Sequence, residues 1–336
     1  MSVHRPLQCW CVFIVLLIAG CSSNQTPKAI SVSITPQTAA ILTTQTAQFD
    51  ATLMNDASGV TWSATGGTVD PNGVFSPAAG SAGATASVTA TSVKDPTKSA
   101  TATVNVVASG QVVATTHPLV ANYTISAPSA ASVSVEFGTD TNYGLTTSST
   151  TVPQGGGSAA ILVAGMKAST LYHMRAVMQF DDGSQVADAD QTFTTAAIPP
   201  NIIQTVTATT TPGATPQPGV EMVNTVFPGI GAAAYDLSGN PVWYYNFKTP
   251  GSSFVQPIHL MSNGHFLVVV SPSSGLPLSP NTPPAGTISV VREVDLVGNT
   301  IKEISIDDLN TKMTAAGFNI TLAVFHHDAL ALPNGH

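Results

Sequence analysis

Short runs of alternating apolar and polar residues occupy the chain from about residue 31 to residue 108. Val32 and Ile34 fall on one side of the first run, and Val88 and Ala90 repeat the same two-residue period further along. This period is typical of strands that bury one face, and the Asp, Asn, Gly and Pro residues between the runs mark turns. The pattern predicts an all-β fold that begins with a β-sandwich over residues 31–108, with Trp62 in its core.

The same alternation continues in a second segment, from about residue 112 to residue 196. Val133, Val135 and Phe137 alternate with polar residues, and Asp181-Asp182-Gly183 separates two later runs as a hairpin turn does. Two adjacent turn carboxylates without further ligands are typical of a solvated turn rather than of a cation site. We therefore predict a second β-sandwich in tandem with the first.

Residues 197–219 differ from both segments because they are rich in proline and threonine. This composition favours an extended, semi-rigid chain and marks a domain boundary. We interpret the stretch as a linker to a third region, residues 220–336.

In the third region two turn sequences recur in a fixed order. Asp236-Leu237-Ser238-Gly239-Asn240 returns as Asp295-Leu296-Val297-Gly298-Asn299, and Asn263-Gly264-His265 returns as Asn334-Gly335-His336. Interleaved turns between apolar strands are expected of successive blades of a β-propeller. The spacing exceeds that of a compact blade, and a proline-rich loop over residues 271–286 accounts for the excess. The pattern predicts an incomplete β-propeller.

Composition narrows the functional classes. The chain has 336 residues, enough for two or three domains, with 43% hydrophobic and only 8% charged residues. Its net charge is −8, and its ten lysines and arginines form no basic cluster. Nucleic-acid binding is therefore excluded as a main function, because neutralising phosphates requires clustered cations.

The N-terminus has the pattern of a targeting signal. A short apolar core, Val12 to Ile18, overlaps the start of Leu17-Ile18-Ala19-Gly20-Cys21, which resembles a bacterial lipobox. The resemblance implies a signal peptide over residues 1–20, lipidation of the Cys21 thiol and a polar tether over residues 21–30. Cys9 and Cys11 would leave with the signal, so neither a disulfide nor a thiol nucleophile is expected. The expected location is the cell envelope, with the protein lipid-anchored at the outer membrane or the periplasmic face.

Three of the eight histidines fall within residues 325–336. In the strand-like run Phe325-His326-His327-Asp328, His326 and Asp328 share one face and His327 takes the other. At least one imidazole is therefore expected on a buried face, either satisfied by backbone groups or serving a site. A metal site on the three residues is disfavoured, because adjacent strand residues point apart and cannot all reach one ion.

Short motifs in the two predicted sandwiches resemble known families. Val60-Thr61-Trp62-Ser63 and Asn72-Gly73-Val74-Phe75 resemble the bacterial Ig-like family of group 2. Residues 137–144 and 166–175 resemble a fibronectin type III-like domain. In that family a tyrosine caps a corner between strands through its hydroxyl, so the resemblance implies this role for Tyr172.

Motifs of the third region, including Gly239-Asn240-Pro241-Val242-Trp243 and Phe325-His326-His327-Asp328, resemble the bacterial arylsulfotransferases. The resemblance implies a six-bladed propeller that moves a sulfuryl group from a phenolic sulfate ester to a phenol, without a nucleotide donor or a cofactor. It also implies attack on sulfur by a histidine nitrogen, a transient sulfohistidine and an accessory role for either His326 or His327. Imidazole suits this chemistry, because its pKa near 6.5 leaves an unprotonated nitrogen at neutral pH.

The sulfated histidine and an arginine of that family lie further along than the motifs found here. About two blades cannot close a propeller, so we expect a truncated fragment that lacks the nucleophile and is inactive as it stands. The alternative is a cell-surface adhesive or ligand-binding lipoprotein in which the two sandwiches bind the partner. A downstream continuation with more Asn-Gly turns, histidines and an arginine would favour the enzyme.

Overall fold

The computed structural model describes residues 28–224, 231–246, 253–255, 258–272, 289–325 and 328–332. In these residues the chain forms 26 β-strands and one short helix, which confirms the predicted all-β class. The signal segment over residues 1–20 and Cys21 lie outside the described residues. Over the described ranges, no helix combines the length and the apolar character that crossing a bilayer requires.

The first sandwich surrounds a core built from the alternating positions, including Ile34, Phe49, Phe75, Val88 and Val104, all buried. Its sheets have the orders β1-β4, β2-β9-β8-β5 and β3-β7-β6, and Trp62 packs against the core while remaining partly exposed. The strands are β1 (Ser31–Thr35), β2 (Thr38–Leu42), β3 (Ala47–Gln48), β4 (Asp50–Met54), β5 (Val60–Thr65), β6 (Gly67–Val69), β7 (Val74–Pro77), β8 (Ala84–Ser92) and β9 (Ser99–Val107).

The second sandwich packs a three-stranded sheet, β10-β11-β15, against a larger one, β13-β12-β16-β17, in which β14 also pairs with β12 and β18 with β16. Val133, Val135 and Phe137 are buried in its core, as their alternation predicts. The strands are β10 (Gln111–Ala114), β11 (Ala121–Ala127), β12 (Ala131–Gly138), β13 (Leu145–Thr146), β14 (Thr150–Val152), β15 (Gly157–Val163), β16 (Leu171–Phe180), β17 (Gln185–Ala187) and β18 (Gln191–Thr194).

Two predicted details of the second sandwich hold in the structure. The buried Tyr172 hydroxyl accepts a hydrogen bond from the Lys167 backbone N–H at 2.9 Å, so it does cap a corner. Asp182 lies in the hairpin turn and accepts bonds from the backbone N–H and hydroxyl of Ser184. Its carboxylate also accepts a hydrogen bond from the buried Asn105 of the first sandwich at 2.9 Å. The turn therefore joins the two sandwiches as well as reversing the chain.

The third region contains two antiparallel sheets that pack face to face. The first has the order β19-β20-β21, and the second has the order β22-β24-β25-β26, with β23 also paired to β24. Because β22 and β23 pair with successive parts of one edge of β24, they share one strand position. The second sheet is therefore an antiparallel meander with four strand positions, of the kind found in propeller blades. The strands are β19 (Val220–Asn224), β20 (Ala232–Asp236), β21 (Pro241–Tyr245), β22 (Ser253–Val255), β23 (His259–Leu260), β24 (Phe266–Pro272), β25 (Val290–Val294) and β26 (Thr300–Ser305).

The recurrent Asp-x-x-Gly-Asn turns have the same geometry in both sheets. The Asp236 N–H donates to the Asn240 carbonyl at 2.8 Å, and the Asp295 N–H donates to the Asn299 carbonyl at 3.1 Å. In each turn the aspartate carboxylate accepts a bond from the backbone N–H of the asparagine at 2.8 Å. The glycines have φ of 81° and 90°, values that favour glycine over other residues. The repeated sequence is therefore a repeated structural unit.

A helix and a packed linker were not predicted from the alternation. Helix α1 (Ile306–Ala315) begins with a capping box in which the side chains of Ser305 and Asp308 each accept from the other's backbone N–H. Within the predicted linker, Ile198, Ile202 and Val206 pack beside Tyr235, whose hydroxyl donates to the Gln204 carbonyl at 2.9 Å. Part of the proline-rich stretch is therefore packed on the first sheet of the third region.

Candidate functional site

The histidines singled out from the sequence, His326 and His327, lie outside the described residues. The residue before them is held at two points. The Phe325 N–H donates to the Ser289 Oγ at 2.6 Å, and the Phe325 carbonyl accepts from the Ser271 Oγ at 2.8 Å. Both serines are buried; Ser289 directly precedes β25, and Ser271 lies in β24. These bonds attach the segment to the second sheet of the third region.

Asp328, the residue after the pair, forms a close contact with His259 of β23. The His259 Nε2 lies 2.6 Å from the Asp328 Oδ1, which also accepts the Ala329 N–H at 2.8 Å. The hydrogen bond from His259 is the main reason why the pKa of the Asp328 carboxyl lies below its ordinary value. The carboxylate is therefore ionised at neutral pH and holds the imidazole by its Nε2 nitrogen.

Beside this pair lies a cleft of about 800 Å³, formed by the second sheet and residues 329–332. The strand register places Leu267 opposite Glu293 and Val291 opposite Ile304, so these side chains share the face that forms the floor. Lys302 and Lys312 line the same cleft, and among the described residues neither forms an ion pair. The cleft therefore combines the apolar side chains of Leu267, Val291 and Ile304 with two ammonium groups and with the carboxylates of Glu293 and Glu303. The apolar part suits a ring, and the ammonium groups suit a negatively charged substituent.

Sequence reasoning did not single out His259. It placed Asp328 on one face with His326, whereas in the structure the partner of Asp328 is an imidazole 69 positions earlier. His259 directly precedes the repeated Leu260-Met261-Ser262-Asn263-Gly264-His265 turn, and that position was the only local signal available. The contact between His259 and Asp328 joins residues that are far apart in the sequence, so no short motif reveals it.

The sequence of the third region matches a known protein-family model. Residues 220–336 match the family model of arylsulfotransferase (ASST). The third region is therefore similar to the arylsulfotransferases. The resemblance drawn from the Gly239–Trp243 and Phe325–Asp328 motifs is thereby confirmed over the same residues. Among curated proteins, none matches the chain.

The matched segment contains a second pair of imidazole and carboxylate. The His265 Nδ1 lies 2.6 Å from the Glu293 Oε1, and the Asn263 side-chain amide donates to the same oxygen at 2.9 Å. The hydrogen bond from His265 is the largest cause of the lowered pKa of the Glu293 carboxyl. Glu293 thus stays ionised and fixes the ring of His265, a residue that the turn repeat had indicated.

The only arginine of the segment, Arg292, faces the interior between its two sheets. The Arg292 Nε donates to Glu303 at 2.5 Å, and Nη1 donates to the Tyr245 hydroxyl at 3.0 Å. Its charge is therefore already engaged within the fold, and we assign it no role at the site. Among the described residues no three His, Cys, Asp or Glu side chains converge as metal ligands would.

Proposed function

We propose that this chain belongs to an arylsulfotransferase of the cell envelope, which in its full-length form moves a sulfuryl group from a phenolic sulfate ester to a phenol. The match of residues 220–336 to the arylsulfotransferase family carries the proposal. The matched segment includes the His326-His327-Asp328 stretch and both pairs of recurrent turns. No cofactor or nucleotide donor is part of the proposal.

The cleft beside His259 supports this substrate class. An aryl sulfate has a flat apolar ring and a singly charged ester group. The ring suits the floor formed by Leu267, Val291 and Ile304, and the sulfate oxygens suit the ammonium groups of Lys302 and Lys312. In this arrangement the donor lies next to the His259–Asp328 pair, and Asp328 directly follows the histidine doublet.

The proposed reaction has two displacements. A histidine nitrogen attacks sulfur, the bond from sulfur to the phenolic oxygen breaks, and the phenolate leaves and takes up a proton. The acceptor phenol oxygen then attacks the sulfur of the sulfohistidine, breaks its S–N bond and gives up its proton to the released imidazole. The resemblance does not assign the attacking nitrogen to any matched position, so His326 and His327 are proposed as accessory groups. One of them donates to the sulfuryl oxygens, where negative charge grows in the transition state.

Substitution of the doublet tests this assignment. In protein expressed from its complete reading frame, with 4-nitrophenyl sulfate as donor and phenol as acceptor, either His326→Ala or His327→Ala should reduce kcat by about 100-fold, the typical loss for one oxyanion donor. Release of 4-nitrophenolate measures the transfer. His173→Ala is the matched control, because His173 pairs with Asp190 in the second sandwich, and its activity should stay unchanged. Absence of transfer by the wild type, or full activity of both doublet variants, would contradict the proposal.

We further propose that a diacylglycerol on the Cys21 thiol anchors the protein and that the two sandwiches hold the third region away from the membrane. Cys21→Ser removes the thiol, so the variant should move from the detergent-extracted membrane fraction to the soluble envelope fraction. Fractionation and immunoblotting measure this shift, with Cys11→Ser as the control that keeps its membrane location. If Cys21→Ser still pelleted with the membranes, the lipid anchor would be refuted.

A further inference from the structure

A separate cavity of about 610 Å³ lies between the second sandwich and the third region. The second sandwich contributes Leu162 and Ala164, which pack against the apolar cluster that contains Trp243 and Phe266. The volume is within the range of roughly 300–1,000 Å³ found for small-molecule sites, which often lie where two domains meet. The cavity therefore has walls from both parts of the chain.

Aromatic rings line the third-region side of this cavity. The rings of Trp243 and Phe266 have their centroids 4.7 Å apart and are tilted by 37°. The Trp243 indole N–H already donates to the Leu296 carbonyl at 2.7 Å, so the residue offers ring surface and no free donor. A flat apolar ring is the shape that such a wall contacts best.

The imidazole of His265 also lines the cavity, together with the hydroxyl side chains of residues 146–150 and the amide of Asn263. Its Nδ1 bonds to the Glu293 carboxylate, so in the neutral ring Nδ1 carries the hydrogen and Nε2 is an acceptor. No described residue forms a hydrogen bond with Nε2. No lysine or arginine is among the described residues that line the cavity, so no cation is present there to balance an anionic ligand.

We infer that this cavity binds a small neutral aromatic alcohol, with its ring between Leu162 and the Trp243–Phe266 wall and its hydroxyl donating to the His265 Nε2. The second sandwich is then one wall of a ligand site and more than a spacer. This inference does not rest on sulfuryl transfer. The aryl sulfate of the proposed function belongs in the lysine-lined cleft on the opposite face of the second sheet, and this cavity has no cation to receive it.

Three fluorinated ligands test the inference with the full chain by ¹⁹F NMR titration. We expect 4-fluorophenol to bind at one saturable site, and fluorobenzene, which lacks the hydroxyl, to bind about tenfold more weakly. Ala164→Phe, which fills the cavity from the second sandwich, should abolish binding of both compounds. The matched control is Ala189→Phe, at an exposed position of the same sandwich, and it should bind both as the wild type does.

His265→Ala supplies an independent result that does not depend on how well Ala164→Phe folds. This variant should weaken 4-fluorophenol about tenfold and leave fluorobenzene unchanged, because only the alcohol loses a hydrogen bond. Equal affinities of the wild type for the two compounds, or 4-fluorophenol binding that both variants preserve, would overturn the inference. The third ligand, 4-fluorophenyl sulfate, separates the two proposals: if it binds and Ala164→Phe does not affect it, it occupies a different site. Its failure to bind would count against the cleft and not against this cavity.

Discussion

Replacing Trp243 with alanine should cost the third region about 3–5 kcal/mol of unfolding free energy, the usual range for a buried tryptophan. Trp243 is only 3% exposed and lies where the two sheets of that region meet. Its ring contacts Phe266 of the second sheet, and its indole N–H satisfies the Leu296 carbonyl. The truncation therefore leaves a cavity and an unpaired carbonyl together. Urea denaturation followed by circular dichroism should show the third-region transition at a lower midpoint.

Trp62→Ala is the matched control for this change. Trp62 packs against the core of the first sandwich but stays partly exposed, so its loss should be smaller and should affect a different transition. A multi-domain chain need not unfold in one step, so the transitions must be resolved separately. If the two variants lowered the same transition equally, Trp243 would not be the contact that joins the two sheets.

The sandwiches could be predicted from the sequence because their strands bury one face and therefore alternate. Val133, Val135 and Phe137 are buried at every second position, and Ala102, Val104 and Val106 follow the same rule. The recurrent turns of the third region were also predictable, because the bonds between Asp236 and Asn240 are local and depend only on nearby residue types. Periodicity and turn chemistry act over a few residues, so a single sequence carries them.

Two local features were missed for a different reason. The capping box of Ser305 and Asp308 is visible in the sequence, but a search for two-residue periods passes over a helix of ten residues. The linker was interpreted as a spacer from its prolines, although Ile198, Ile202 and Val206 were available to pack. Composition describes the average of such a stretch and hides the few apolar residues that dock.

The candidate site was less predictable because non-local contacts build it. The His326-His327-Asp328 motif indicated the segment, but the pairing of Asp328 with His259 joins an irregular stretch to a strand 69 positions earlier, and the two meet only after folding. The two lysines of the cleft come from a strand and a helix, and no motif in the sequence connects them. Likewise, nothing local to Leu162 or Ala164 indicates that the second sandwich lines a cavity with Trp243. Register and packing decide which side chains share a site, and a single sequence records neither.

A buried histidine outside that site, His117, should make the stability of the fold depend on pH. His117 is 6% exposed and sits where the second sandwich meets the third region. Its Nε2–H donates to the Tyr244 carbonyl at 2.9 Å, and its Nδ1 accepts the Leu119 N–H at 3.1 Å. A second proton on Nδ1 would face that N–H, and burial lowers the pKa of the imidazole. The nearby ring of Tyr244 is neutral at these pH values because burial raises its pKa.

Because the pKa of His117 is lower in the folded chain than in the unfolded one, its contribution is complete above about pH 6.5, the unfolded value. Below that pH only the unfolded state takes up the proton, so stability should fall by about 1.4 kcal/mol per pH unit until the folded pKa is reached.

His117→Gln keeps a donor and an acceptor but does not titrate. The difference between wild-type and variant unfolding free energies, measured by urea denaturation from pH 5 to pH 8, removes the contributions of the other histidines. That difference should be constant above pH 6.5, and below pH 6.5 the wild type should lose stability relative to the variant. A difference independent of pH would show that protonation of His117 does not affect the stability of the fold.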